Sequence, residues 1–448
     1  MFRKKHSLIK GTLILTSAGL VSRVLGFFFR IFLSHTFGEE QVGLYQLIFP
    51  FYALCLSLST SGLETAISRS VSRFHSLGRT QDGKLIFKTG LILSVLISLI
   101  CTFLVQKNSV FLSNRFLGDP RCATLLYLIV LALPAASVHS CICGYHYGLQ
   151  RTSVPAISQL IEQFVRISSV FVLYFIFIHS GVHPEIPLAV SGIIFGELAA
   201  AGYSLFSLKK KGFDADSPYI LSISKSCSEL LRLSVPLTVN RTAITFLQGI
   251  EAASIPVCLE LASHSASEAL SIYGVLTGMA LPCILFPSAL TNSVSLLLIP
   301  AVAQKQAESS SKETFLLIKK AGGCFSLGLL CSVFFLLTGS FLGNFLFHST
   351  LAGNFIVTLA WICPFLYTSS ALLSAINGLG LTTLTLMINL FGLSIRILSV
   401  YFGIPHYGIT GYLWGLFISQ STVCLVALLA LSHEIKKEYL QSVESATD

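Results

Sequence analysis

Apolar runs of bilayer-spanning length recur along this 448-residue chain, separated by short polar breaks. A membrane-spanning helix needs about 20 consecutive apolar residues. Twelve windows qualify: 11–34, 41–67, 85–106, 123–148, 154–178, 186–208, 233–257, 271–302, 316–342, 354–378, 382–402 and 408–431. The pattern predicts an all-α membrane protein. The basic start, Met1 to Lys10, mimics a secretory signal, but Arg23 interrupts the apolar run behind it, and the second half contains a counterpart of this segment.

The polar breaks are asymmetric in charge. With the N-terminus placed in the cytoplasm, 21 of the 29 lysines and arginines fall in inside segments, against Lys107, Arg115 and Arg121 in outside loops. Positive charge retained on the cytoplasmic side predicts an N-in, C-in topology. It also accounts for the net charge of +9 without nucleic acid as a partner.

An internal repeat organises the spans. Tyr127–Val170 aligns with Val357–Val400, pairing Pro134 with Pro364, Gly148 with Gly378 and Arg166 with Arg396. Val21-Ser22-Arg23 matches Val239-Asn240-Arg241, and Tyr45 then matches Tyr273. Six spans per half leave both halves in the same orientation, so the repeat is parallel. The expected domains are an N-terminal six-helix lobe over 1–208, a cytoplasmic linker over 209–232 and a C-terminal six-helix lobe over 233–448.

Composition sharpens this picture. The chain is 53% hydrophobic and 11% charged, with a mean hydropathy of +0.78, whereas soluble domains are about 25% charged. Yet Arg23, Arg30, Arg166, Arg241 and Arg396 lie inside apolar spans, and no lysine does so. A charge near the bilayer centre costs roughly 2.5–3.5 kcal/mol on insertion scales, so these arginines are expected to line a protein interior or wet cavity. A guanidinium keeps its charge there and presents a planar fork of donors suited to phosphate. The five are candidate ligands for an anionic substrate, and the repeat places two pairs of them, Arg23/Arg241 and Arg166/Arg396, symmetrically about one central space.

Acidic residues also enter the spans. Glu162 and Arg166 form an i, i+4 pair, whereas Arg396 has Gly392 at the equivalent place. Glu64, Glu162, Glu197 and Glu251 are candidates for charge pairing or ion coupling, because buried carboxylates exchange protons as their surroundings change and arginine does not. Pro50, Pro134, Pro236, Pro282, Pro287 and Pro364, with Gly62, Gly148 and Gly378, permit bending. The twelve cysteines contain no C-x-x-C pair and sit mostly in apolar runs, so neither a disulfide framework nor a metal site is expected.

Several segments carry a family resemblance. Gly19-Leu20-Val21-Ser22-Arg23-Val24-Leu25-Gly26-Phe27, followed by Arg30, resembles the first helix of the multidrug/oligosaccharidyl-lipid/polysaccharide exporter superfamily, and of its lipid-linked sugar flippases in particular. Ser59-Thr60-Ser61-Gly62-Leu63 and Pro155-Ala156-Ile157-Ser158-Gln159, the latter followed by Glu162, Gln163 and Arg166, are similar to the stage V sporulation protein B branch. The resemblance implies about twelve transmembrane helices in two parallel lobes, as in multidrug exporters and lipid II flippases. It implies a flippase that moves a polyprenyl-pyrophosphate-linked oligosaccharide, such as a peptidoglycan or other cell-envelope precursor, across the cytoplasmic membrane by alternating access.

Arg23 and Arg30 match first-helix arginines that lipid II flippases use for pyrophosphate. The chain departs from those flippases in having no arginine over Phe51–Ser59 and Gly274–Pro287, and in stopping short of their two further C-terminal helices. The expected partners are the lipid-linked sugar, membrane lipids and a monovalent cation. No cofactor and a monomeric state are expected. A cation-coupled multidrug antiporter of the same fold is the alternative function. A membrane enzyme is disfavoured, because the short loops hold no acidic cluster for catalysis.

Overall fold

A computed structural model of the chain describes all residues except 1, 211–220, 263, 293–294, 296–297, 299–301, 303–321 and 448. The central part of the expected linker and the basic segment 305–320 lie outside the described residues. Among those described there are helices and turns and no strand. In lipid each backbone polar group must be satisfied within its own segment, which these apolar runs achieve only as helices.

The principal helices are α1 (Phe2–Leu56), α2 (Gly62–Ser76), α3 (Thr80–Lys107), α4 (Cys122–Ile129), α5 (Leu133–Gly148), α6 (Ser153–His179), α7 (Pro187–Lys210) and α8 (Ile223–Leu261). They continue with α9 (Ala266–Gly274), α10 (Gly323–Phe347), α11 (Thr350–Leu359), α12 (Cys363–Gly378), α13 (Thr382–Leu398) and α14 (Ile409–Thr447). Eleven helical runs among the described residues are long and apolar enough to span. The first, Leu13–Ser76, has 64 residues and absorbs two of the expected spans. It is broken at Gly38, where φ is 76° and ψ 174°, a conformation that an L side chain rarely adopts. The expected span 271–302 is not one continuous helix, because helix stops at Leu285 and Phe286–Pro287 form a bend. A proline ring clashes with the preceding turn and removes a donor.

Contacts divide the chain into two compact units, Met1–Ala253 and Ser254–Asp448. The division falls inside α8, so Arg241 belongs with the first unit. In that unit α1 and α6 run parallel and in close contact. A Cβ on Gly11 would stand 2.9 Å from Thr152 Oγ1, and one on Gly26 3.4 Å from Gln163 Nε2. Further along the same two helices, Phe32 packs on Phe171 with ring centroids 4.3 Å apart. Glycine also seats α5 on α2, since a Cβ on Gly144 would meet the Glu64 carbonyl at 2.6 Å and one on Gly148 the Ser68 carbonyl at 2.7 Å. Gly62, likewise helical, packs against Ser234 and Thr238. Gly62 and Gly148 are therefore close-approach positions, the use of small residues that helix packing in membranes favours.

Outside the spans, Arg121 ties the start of α4 to α1. Its guanidinium reaches Asp119 at 2.8 Å and Glu40 at 2.7 Å. The hydrogen bonds to Asp119, above all, hold its pKa above the ordinary arginine value.

The second unit repeats the local structure of the first at the register seen in the sequence. A 3₁₀ turn at Val130–Ala132 precedes Pro134 and α5, and one at Ala360–Ile362 precedes Pro364 and α12. Beyond these helices Gln150 and Gly380 both take positive φ, 57° and 81°. Each proline sits in the first turn of its helix, where no donor is lost. Within the second unit, Gly343 of α10 lies against the backbone of Gly353 on α11, and the Tyr367 hydroxyl donates to the Ile284 carbonyl at 2.7 Å.

Candidate functional site

The candidate site of the first unit is built on α6 and α7. On α7, Gly192 and Gly196 occupy successive turns of one face. A Cβ on Gly192 would meet the Arg166 carbonyl at 2.9 Å, and one on Gly196 the Glu162 carbonyl at 2.8 Å. This small-x-x-x-small spacing lets α7 lie directly on the two turns of α6 that carry Glu162 and Arg166. It also brings Glu197, the next residue, into the same interior, where it is 8% exposed.

Glu162 and Arg166 form the ion pair that their spacing predicts, with side chains 18% and 21% exposed. Glu197 is paired with His139 of α5. Its carboxylate faces His139 Nδ1 at 3.3 Å, and His139 Nε2 faces Ser158 Oγ at 3.0 Å. One ring nitrogen of His139 and one carboxylate oxygen from each of Glu162 and Glu197 lie within 4.8 Å of one another. His139 escapes the sequence pattern, because no acidic residue stands three or four positions from it on its helix. The only hint was an imidazole facing a span already rich in polar residues.

Tyrosines of α1 close the cluster. Tyr45 lies within electrostatic reach of Arg30 and Arg166, and Tyr52 within reach of Glu197, Arg166 and Glu162. Along a straight helix, Arg30 and Tyr45 would stand about 22 Å apart. The break at Gly38 folds the chain back so that they meet. Two buried atoms here, Tyr52 Oη and Arg166 Nε, have no hydrogen-bond partner among the described residues. Buried polar groups seldom lack one unless water, an ion or a ligand serves.

The other site candidates are distributed as follows. Arg30 is half-buried and lies within electrostatic reach of Arg166. Arg23, two turns earlier on α1, is exposed. Glu64 lies within reach of Arg241 and His139, and Arg241 is exposed. A π-turn over Ser57–Ser61 precedes Glu64, and the Ser94 hydroxyl donates to its Ser59 carbonyl at 2.7 Å. Such turns concentrate at functional positions in membrane helices. Glu251 is buried on α8, 3% exposed. Arg396 belongs to the second unit, half-buried on α13, immediately before a π-turn over Ser399–Gly403.

The chain is similar to known proteins in sequence and in fold. The family model described as polysaccharide biosynthesis protein matches residues 8–306. Stage V sporulation protein B of Bacillus subtilis (strain 168) is 30% identical over 414 residues, covering 91% of this chain and 80% of its own length. Lipid II flippase MurJ of the same organism is 25% identical over 328 residues, 68% of this chain and 59% of its own. A solved multidrug resistance MATE family transporter of the MOP superfamily, in an inward-facing conformation, has a TM-score of 0.69 over 94% of this chain and 96% of its own. At 16% sequence identity that likeness is one of fold. This multi-pass membrane chain belongs to the polysaccharide biosynthesis protein family, in the branch of the multidrug/oligosaccharidyl-lipid/polysaccharide exporter superfamily that resembles stage V sporulation protein B and MurJ.

Proposed function

We propose that this chain is a flippase for a polyprenyl-pyrophosphate-linked oligosaccharide, working by alternating access with both termini in the cytoplasm and twelve membrane crossings. The observation that carries this reading is the pairing of Arg30 with Arg166 on the adjacent parallel helices α1 and α6. Two guanidiniums within reach of each other, one of them held by Glu162, form a cationic face that fits a multiply charged phosphate ester. Arg23 and Arg241, exposed within spanning helices, extend the cationic surface of the first unit. In the second unit Arg396 takes the same role. The relatives named for sporulation and for lipid II flipping support a lipid-linked cargo.

The carboxylate–imidazole cluster of Glu162, Glu197 and His139, with Glu64 nearby, is proposed as the coupling site for a proton or another monovalent cation. It joins three helices, so a change in its charge is felt by all of them.

The test is flipping of a labelled polyprenyl-pyrophosphate sugar by the purified chain in proteoliposomes. Transport that depends on the arginines supports the reading, whereas no transport of any pyrophosphate-linked lipid overturns it. The same interior also offers carboxylates to an organic cation, which favours the second reading, a cation-coupled multidrug antiporter. Drug resistance conferred on a pump-deficient host, abolished by Glu197→Gln, would select it.

A further inference from the structure

A second concave site lies in the first unit, away from the cluster described above. A cavity of about 210 Å³ opens where the ends of α2, α5 and α7 meet the start of α3. Its wall carries Lys84, Arg151, His75 and His146, together with the hydroxyl groups of Thr80 and Ser207. No carboxylate lines it among the described residues. Two acids among the described residues, Asp82 and Glu229, are engaged elsewhere. Asp82 accepts from Arg79 Nε at 2.7 Å and from the Leu221 backbone N–H at 2.9 Å. Glu229 pairs with Arg73 at 2.7 Å.

The wall is built and not merely a coincidence of surface charge. His146 is 2% exposed and its Nε2 stands 3.4 Å from Ser207 Oγ. The Tyr145 ring lies edge-on to His146 and packs on Phe87, and Arg151 lies within electrostatic reach of Tyr145. The Arg151 backbone N–H donates to the His146 carbonyl at 2.9 Å, which fixes where that loop leaves α5. A lysine, an arginine, two imidazoles and the Thr80 hydroxyl thus converge on a space smaller than the 300–1,000 Å³ or so of drug-sized pockets. Cationic and neutral donors gathered in this way suit a compact oxyanion.

We infer that this cavity binds a phosphate group, supplied either by the headgroup of an anionic membrane lipid or by a soluble phosphate or pyrophosphate. The site is independent of the transported cargo, because it shares no residue with the arginines and acids assigned to transport. All four helix ends that form it lie on the side that the proposed orientation places in the cytoplasm, where both sources are present.

The experiment uses the purified full chain in lipid nanodiscs and reads thermal stabilisation and binding. One arm compares phosphatidylcholine discs with discs containing about one-fifth phosphatidylglycerol. The other titrates inorganic phosphate and pyrophosphate onto phosphatidylcholine discs. Stabilisation in either arm is expected, and the arm that responds names the source. The double variant Lys84→Gln/Arg151→Gln is expected to weaken that response by about tenfold or more, as loss of charge-assisted bonds implies. Lys84→Arg is expected to keep it, which separates binding from folding. Absence of stabilisation in both arms, or a double variant that responds like the parent, overturns the inference.

Discussion

Gly196 lies directly beneath Arg166, and a Cβ added to the glycine would stand 3.1 Å from the Arg166 Cβ. The closeness of α7 to α6, and with it the position of the Glu162–Arg166 pair, depends on a side chain that is absent. Gly196→Leu should therefore destabilise the protein by about 1–3 kcal/mol through overpacking and reduce transport. Gly202, on the same helix with nothing within 4 Å, provides the control. Gly202→Ala should leave stability unchanged or raise it by up to about 1 kcal/mol. Thermal unfolding of both variants in detergent checks the pair, and equal losses would refute the packing account.

Breaking the ion pair from one side strands a charge. Glu162→Gln should cost on the order of 3–5 kcal/mol, whereas Glu162→Leu with Arg166→Leu should recover much of that stability. A double-mutant cycle on unfolding measures the coupling. The double variant should nonetheless fail to transport, because Arg166 is then missing from the proposed grip.

The guanidinium fork, and not charge alone, is what the proposed phosphate contact requires. Arg23→Lys and Arg396→Lys retain the charge and lose the planar pair of donors. Each should fold normally and flip cargo at least about tenfold more slowly, the equivalent of one charge-assisted hydrogen bond. Parent-like rates from both would remove the basis for phosphate gripping.

His139 holds Glu197 and Ser158 through its two ring nitrogens. Glu197→Gln replaces the carboxylate by a neutral amide while keeping a hydrogen-bond acceptor for the ring. If the cluster couples transport to a proton, flipping by this variant should no longer respond to an imposed pH gradient, while cargo binding persists. Transport measured across liposomes with and without a gradient decides the point, and a variant with the parent's gradient dependence would exclude this cluster as the coupling site.

Much of the architecture is legible along the chain, because lipid imposes a length on each apolar run and polar residues end it. The runs read as 123–148 and 154–178 appear as Cys122–Gly148 and Ser153–His179. The offset that pairs Pro134 with Pro364 reappears as matching 3₁₀ turns in both units. The Glu162–Arg166 pair was visible too, since spacing on one helix is local. The bend at Pro287 was signalled by a proline yet lost inside an uninterrupted apolar run.

Hydropathy, charge placement and repetition along the chain determined by themselves that this is a helical membrane protein with arginines in its spans. Only the tertiary structure decided which of those charges meet. His139 and Glu197 are 58 residues apart, and their contact depends on the rotation and depth of two helices. Those are set by where glycines allow backbones to touch and by the fold-back at Gly38, neither of which a one-dimensional pattern records. The basic cavity behind Lys84 and Arg151 has the same origin, assembled from four helix ends that adjoin only in three dimensions.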